Sequence, residues 1–134
     1  MKGRAFFDTN VLIYSLAAGD PRRDVSRRLL AEGGVVSVQV LSEFCSVARR
    51  KLRLDWPEVD AALDAVRSLC REIVPVTLAL HDDGLRIARR YGYHIYDSQM
   101  VAAGLAAGCA TFYSEDLRDG QVIDGMTIRN PFAA

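Results

Sequence analysis

Four acidic residues close or flank apolar stretches of this chain. Asp8 ends the run Ala5-Phe6-Phe7, Asp116 follows Ala110-Thr111-Phe112-Tyr113, and Glu43 and Asp97 border the apolar faces of two helical patterns. Carboxylates gathered in one cleft repel one another and take up protons unless a cation neutralises them. A hard divalent cation does this well: Mg²⁺, with Mn²⁺ as a substitute, takes oxygen ligands and keeps several waters. Zinc and iron match less well, because His81 and His94 are not spaced as a ligand pair and no cysteine accompanies the acids. A cation held by carboxylates can bind a phosphodiester oxygen, lower the pKa of its water and stabilise the leaving oxyanion. Phosphodiester hydrolysis is therefore the leading chemistry. No Ser-His-Asp arrangement, P-loop or GxGxxG competes with it, and Gly104-x-x-x-Gly108 has the wrong spacing and falls inside a helical pattern.

The elements that must position these acids can be read from the pattern. The short apolar run before Asp8 reads as a buried strand, and Thr9 and Asn10 start a short helix through Val11, Leu12, Tyr14 and Leu16 that Gly19-Asp20-Pro21 stops. A second helix follows, with Val25, Leu29 and Leu30 inward and Arg22, Arg23, Arg27 and Arg28 outward, until Gly33-Gly34. Val35-Val36-Ser37-Val38 is a second strand, and Val40, Phe44, Val47, Ala48 and Leu52 recur at helical spacing after it, with Glu43 at the edge of that face. Trp56-Pro57 breaks the pattern before a helix marked by Val59, Leu63, Val66 and Leu69. Ile73-Val74-Pro75-Val76 reads as a third strand whose proline suits a sheet edge. A helix from Leu80 to Tyr91 ends at Gly92, and Tyr96-Asp97-Ser98-Gln99 opens another that ends at Gly108. A fourth strand delivers Ser114-Glu115-Asp116, and two short extended pieces around Asp124-Gly125 complete the chain, the second as a last edge strand.

Strands alternating with helices imply right-handed crossovers and a Rossmann-like, three-layer α/β/α fold around a short, mostly parallel sheet of four to five strands. Ligands of such sheets bind at the carboxyl ends of the strands.

Composition bounds the rest. With 134 residues, half of them hydrophobic, the chain is expected to form one globular domain across its length. Its 17 basic residues balance 17 acidic ones, so no global cationic field favours indiscriminate nucleic-acid binding, and a nucleic-acid site would have to be local. All basic residues but Lys2 and Lys51 are arginine. Cys45, Cys70 and Cys109 are odd in number and widely spaced, against a disulfide framework or a thiolate zinc site. With no signal-peptide core and no apolar stretch of membrane-spanning length, a soluble, cytoplasmic protein is expected.

Each acid has a plainer explanation. Asp8, Thr9, Asn10 and Asp97 could be helix caps, Glu43 a solvated helix residue, and Asp116 part of a turn with Glu115, Asp119 and Gly120. One helix start, however, needs one capping side chain, and Asp8-Thr9-Asn10 supplies three. Two other functions compete with hydrolysis of a nucleic acid. One is a phosphatase with Asp8 as nucleophile, weakened by Asn10 where a second acid is expected and by having only Lys2 and Lys51 to stabilise a phosphoaspartate. The other is a non-catalytic module that binds RNA or a protein through its basic helices.

Together, Phe7-Asp8-Thr9-Asn10-Val11-Leu12, Ser42-Glu43-Phe44, Tyr96-Asp97-Ser98 ahead of an alanine-rich helix, and Ser114-Glu115-Asp116-Leu117 resemble the PIN-domain family, in particular the VapC-type ribonuclease toxins of toxin-antitoxin pairs. The likeness runs over essentially the whole chain and includes the ending Gly125-Met126-Thr127-Ile128-Arg129-Asn130-Pro131-Phe132. It implies a magnesium-dependent endoribonuclease whose acidic pocket comprises Asp8, Glu43, Asp97 and Asp116. Asp8 and Asp97 would be the principal metal ligands, Glu43 and Asp116 would bind directly or through water, and Thr9, Asn10 and Ser114 would orient them. By its place in the motif Asp116 is expected at the metal rather than Glu115. The resemblance further implies an RNA substrate, a small cognate antitoxin that lies in a groove near the site, and a homodimer.

Overall fold

The computed structural model describes residues 3–133, so Lys2 lies outside the described residues. The first strand, β1 (Ala5–Phe7), leads directly into helix α1 (Thr9–Tyr14) and then α2 (Arg22–Glu32). Strand β2 (Val35–Ser37) is followed by α3 (Val38–Arg50) and α4 (Trp56–Leu69), and β3 (Glu72–Val74) by α5 (Leu78–Tyr91) and α6 (Ile95–Ala106). The chain closes with β4 (Thr111–Tyr113), β5 (Val122–Ile123) and β6 (Met126–Arg129).

The strands form one six-stranded sheet in the order β3-β2-β1-β4-β6-β5, parallel throughout except for β5. This is the expected mostly parallel α/β arrangement flanked by helices, with more strands than the expected four to five. The extra count comes from the C-terminal hairpin, where Asp124 and Gly125 both adopt positive φ (47° and 90°) and so make the tight turn that matches the twist of paired strands. The edge assignment there is corrected. The second piece, β6, lies inside the sheet against β4, because Met126 and Ile128 are fully buried, and the first piece, β5, is the edge. At the other margin Pro75 follows edge strand β3, where a missing N–H costs no ladder bond.

Trp56-Pro57 starts α4 rather than interrupting the chain. Asp55 accepts from the Glu58 amide at 2.9 Å while the Glu58 carboxylate accepts from the Asp55 amide at 3.1 Å, a reciprocal cap with proline in the first turn, where it is well tolerated.

Two packing features hold the site end of the sheet. Phe6 and Phe112 are register partners and stack with centroids 5.1 Å apart, both buried. Helix α6 approaches this layer at Gly104, where an added Cβ would stand 3.0 Å from Met126 Sδ and 3.3 Å from Phe6 Cβ. That absence of a side chain is what lets α6, with Asp97 in its first turn, lie so close to the sheet. Among the described residues no helix is long and apolar enough to cross a membrane.

Candidate active site

The sheet changes direction of winding between β1 and β4, which are sequence-distant neighbours with Phe7 paired to Tyr113. Such a switch point leaves a crevice at the strand ends. Asp8 stands there. Its backbone N–H donates to the Tyr113 carbonyl at 3.1 Å, extending the ladder one residue past the strands. Its side chain is the N-cap of α1, with Oδ1 accepting from the Thr9 amide at 2.6 Å. Oδ2 accepts from Ser114 Oγ at 2.8 Å.

Ser114 is fully buried, and its hydroxyl has no freedom left. The amides of Asp116 and Leu117 donate to Oγ at 3.1 and 3.3 Å. A hydroxyl has one proton and two lone pairs, so its proton goes to Asp8. The same serine thus orients Asp8 and shapes the turn that carries Asp116. Asp116 is exposed, and its Oδ2 accepts from Asn10 Nδ2 at 2.9 Å.

Glu43, half-buried on α3, accepts at one oxygen from Thr9 Oγ1 (3.4 Å) and at the other from Gln39 Nε2 (2.8 Å). Gln39 Nε2 also donates to the Tyr96 carbonyl at 3.0 Å, tying α3 to the start of α6 beside Asp97. A chain of side chains continues outward. Gln99 Nε2 donates to Gln39 Oε1 at 3.4 Å, and His81 Nδ1 lies 3.2 Å from Gln99 Oε1. Because the Glu43 carboxylate can only accept, each amide is oriented with its NH₂ toward Glu43, and His81 must donate through Nδ1.

Asp97 is half-buried in the first turn of α6. It is not the cap. His94 Nδ1 accepts from the Tyr96 amide at 3.2 Å and takes that part, as Asp8 alone does for α1. Capping therefore accounts for Asp8 and leaves Thr9, Asn10 and Asp97 unexplained by it.

The electrostatics bind the group together. Burial, with Asp8 only 4% exposed, raises its carboxyl from 3.8 to about 7. The charges of Asp97 and Asp116 push the same way, and the Ser114 and Thr9 hydrogen bonds oppose them. Asp97 is also raised, first by burial, then by Asp116 and Glu43, while the neighbouring His94 pulls it down. Among the described residues none of the four acids enters an ion pair. Nor do any three His, Cys, Asp or Glu side chains among those residues stand close enough together to cage a metal ion. Asp8 and Ser114, Asn10 and Asp116, and Thr9 and Glu43 are joined by hydrogen bonds, whereas Asp97 meets the others through its field. A separate cavity of about 1300 Å³ along Arg4, Ala5, Arg71, Glu72, Thr111 and Arg129 contains none of the acids.

Sequence reasoning missed Tyr14, Arg22, Gln39 and Gln99. Arg22 was expected on the outer face of α2, yet its guanidinium turns onto the Tyr14 ring (3.8 Å to the centroid) and reaches Glu115 at 3.1 Å. A helical period does not register a partner so far along the chain. The amide pair carried no signal at all, since glutamines on a helix are ordinary surface residues.

A mostly parallel sheet with a buried carboxylate, Asp8, at its switch point defines an α/β protein of the strand-end site class. The chain belongs to the PIN domain family, which it matches over residues 5–122. Solved structures share its fold at low identity. A toxin-antitoxin complex from Klebsiella pneumoniae is 17% identical with a TM-score of 0.72, over 97% of this chain and 99% of that one. DNA-bound VapBC from Salmonella typhimurium is 18% identical with a TM-score of 0.69, over 98% and 99%. VapC20 from Mycobacterium tuberculosis, described as a sarcin-ricin loop cleaving toxin, is 22% identical with a TM-score of 0.65, over 84% and 89%. No curated protein matches the sequence.

Proposed function

We propose that the chain is a metal-dependent endoribonuclease, working as a single PIN nuclease domain and serving as the toxin of a toxin-antitoxin pair that blocks translation and growth. The observation that carries this reading is Asp8: a carboxylate buried at the switch point, raised to about 7 by burial and by two neighbouring acids, and in no ion pair among the described residues. Such a group suits a cation supplied from outside the chain.

The donor set fits Mg²⁺, with Mn²⁺ as a substitute. It is all oxygen, and each Asp8 oxygen, having accepted one hydrogen bond, retains a lone pair. No three-sided protein cage is present among the described residues, and Mg²⁺ characteristically takes one or two carboxylates and keeps its waters. Asp8 and Asp97 would be the principal ligands, and Glu43 and Asp116 would hold it directly or through water. When bound, the cation supplies neutralisation of the phosphodiester charge and a water of lowered pKa. The chain's part is positioning: Ser114 fixes the Asp8 carboxylate, Thr9 fixes Glu43, and Asn10 fixes Asp116.

The solved relatives that are toxins or toxin-antitoxin complexes support an RNA substrate and a small cognate antitoxin, and a homodimer accords with the same reading. The test is cleavage of structured RNA by antitoxin-free protein with Mg²⁺ or Mn²⁺. New 5′ ends are expected with wild type and none with Asp8→Asn or Asp97→Asn; cleavage that survives both substitutions, or excess chelator, overturns the reading.

A further inference from the structure

Beside the four acids of the site lies a fifth carboxylate, Glu115, whose surroundings are the opposite of theirs. Tyr14 OH donates to Glu115 Oε1 at 2.6 Å, and Arg22 donates to both Glu115 oxygens at 3.3 and 3.1 Å. Arg22 also donates to Tyr14 OH at 2.8 Å, which uses the phenol's remaining capacity. From the other side Asp20 takes the Arg22 Nε and Nη2 groups at 3.0 and 2.7 Å. The Tyr14 ring is wedged between the guanidinium, 3.8 Å from its centroid, and the edge-on ring of Phe132 at 5.1 Å. Two groups, from the end of α1 and the start of α2, thus close on Glu115, and Phe132 of the C-terminal segment backs the Tyr14 ring.

Glu115 and Asp116 are adjacent, and a turn can offer only one of them to the crevice. Glu115 is held at the α1–α2 corner with its charge matched by Arg22, while Asp116 accepts from Asn10 and its amide donates to Ser114. We propose that Tyr14 and Arg22 are positioning residues of the nuclease site, which by holding Glu115 at this corner deliver Asp116, and not Glu115, to the acids at the switch point. The inference rests on the proposed metal-dependent reading and deepens it.

Calorimetric titration of Mn²⁺ into antitoxin-free protein, above the Asp8 pKa of about 7, tests both separately. Each variant is first shown folded by circular dichroism. Wild type binds and Asp8→Asn does not. Glu115→Gln stays within about three-fold of wild type, because an amide oxygen still accepts from Tyr14 and Arg22. Glu115→Ala and Arg22→Met weaken Mn²⁺ binding by about ten-fold, the lower end for residues that orient a metal ligand, and Tyr14→Phe by less. A merely structural corner would lower Tm in these variants without moving Mn²⁺ affinity, and that outcome overturns the proposal. It is equally overturned if Glu115→Gln weakens binding as much as Asp116→Asn, since Glu115 would then be a ligand itself. If Arg22→Met does not fold, the contrast of Glu115→Gln with Glu115→Ala decides. Failure of wild type to bind Mn²⁺, or undiminished binding by Asp8→Asn, overturns the nuclease reading and this inference with it.

Discussion

The two acidic corners of this molecule differ in one respect that sorts their roles. At the α1–α2 corner Glu115 and Asp20 share Arg22, and Asp20 is held below the usual carboxylate range by that guanidinium. At the switch point Asp8 and Asp97 have no such partner and are both raised. Both corners are built by the same local means, a strand end or helix end supplying carboxylates to a tight turn. One has its cation built in. The other carries a deeply buried carboxylate beside two further acids, an arrangement that costs stability in the absence of a counter-charge and is therefore poorly explained by folding alone.

The largest effect should come from removing that carboxylate. Asp8→Asn is expected to lower RNA cleavage by at least about 100-fold while raising the Tm of the metal-free protein at alkaline pH. The asparagine oxygen still accepts from the Thr9 amide and no buried charge remains, a gain that outweighs the lost hydrogen bond from Ser114, about 1–3 kcal/mol. The gap between 3.8 and about 7 corresponds to at most about 4 kcal/mol at 1.36 kcal/mol per pH unit. A variant both less active and less stable would mean that the cap, and not the charge, is what Asp8 provides.

The pH dependence follows from the same group. Between about 4 and about 7 the folded protein keeps a proton on Asp8 that the unfolded chain has released, so the metal-free stability falls as pH rises through this window. The full penalty is present above about 7. Mg²⁺ affinity should run the other way, rising with pH over the same range, because binding must displace that proton. Thermal melts across the window, in chelator and in Mg²⁺, check both slopes; parallel curves would contradict the comparison.

Ser114→Ala should have an intermediate effect. It removes the one hydroxyl proton directed at Asp8 and leaves the Asp116 and Leu117 amides without their acceptor, a loss of about 1–3 kcal/mol for a hydrogen bond to a charged, buried group. The Asp8 pKa should rise further, detectable by carbon NMR of the carboxyl, with weaker metal binding near neutrality. The smallest effect belongs to Arg86→Ala. Arg86 pairs with Asp83 and Asp124 on the surface, and exposed pairs contribute little, so cleavage and Tm should stay at wild-type values.

The sequence was legible where one residue type does one job. An apolar run ended by Asp8, the glycines Gly33 and Gly92 at helix ends, and Pro75 each limit the backbone locally, and the structure has β1, the ends of α2 and α5 and edge strand β3 there. By contrast, α1 ends at Tyr14, well short of Gly19, and Pro75 lies just past β3 rather than within it. It was less legible where pairing decides. Val122-Ile123 and Met126-Arg129 look alike as short extended pieces, and only the partnership of β6 with β4 makes one interior and the other an edge. Of the candidate site, the four acids could be named from their positions past strands and beside helix faces, whereas the orienting roles of Thr9, Asn10 and Ser114 follow only from the family resemblance. Which acid caps, which is joined by hydrogen bonds and which acts only through its field could not, because His94 as a cap and Gln39 as the link between α3 and α6 leave no periodic trace. The Asp55-Glu58 capping box was present in the sequence and marks the start of α4 at the point where Trp56-Pro57 suggests a break.

The most direct test of the central claim is the melting temperature of the antitoxin-free protein above the Asp8 pKa, with Mg²⁺ and with chelator. A cation that binds the folded state stabilises it in proportion to the logarithm of its concentration over the dissociation constant. Wild type should melt higher in Mg²⁺, and Asp8→Asn should melt at one temperature in both. Equal melting of wild type with and without Mg²⁺, or the same gain in Asp8→Asn, would contradict a switch point built to receive a cation.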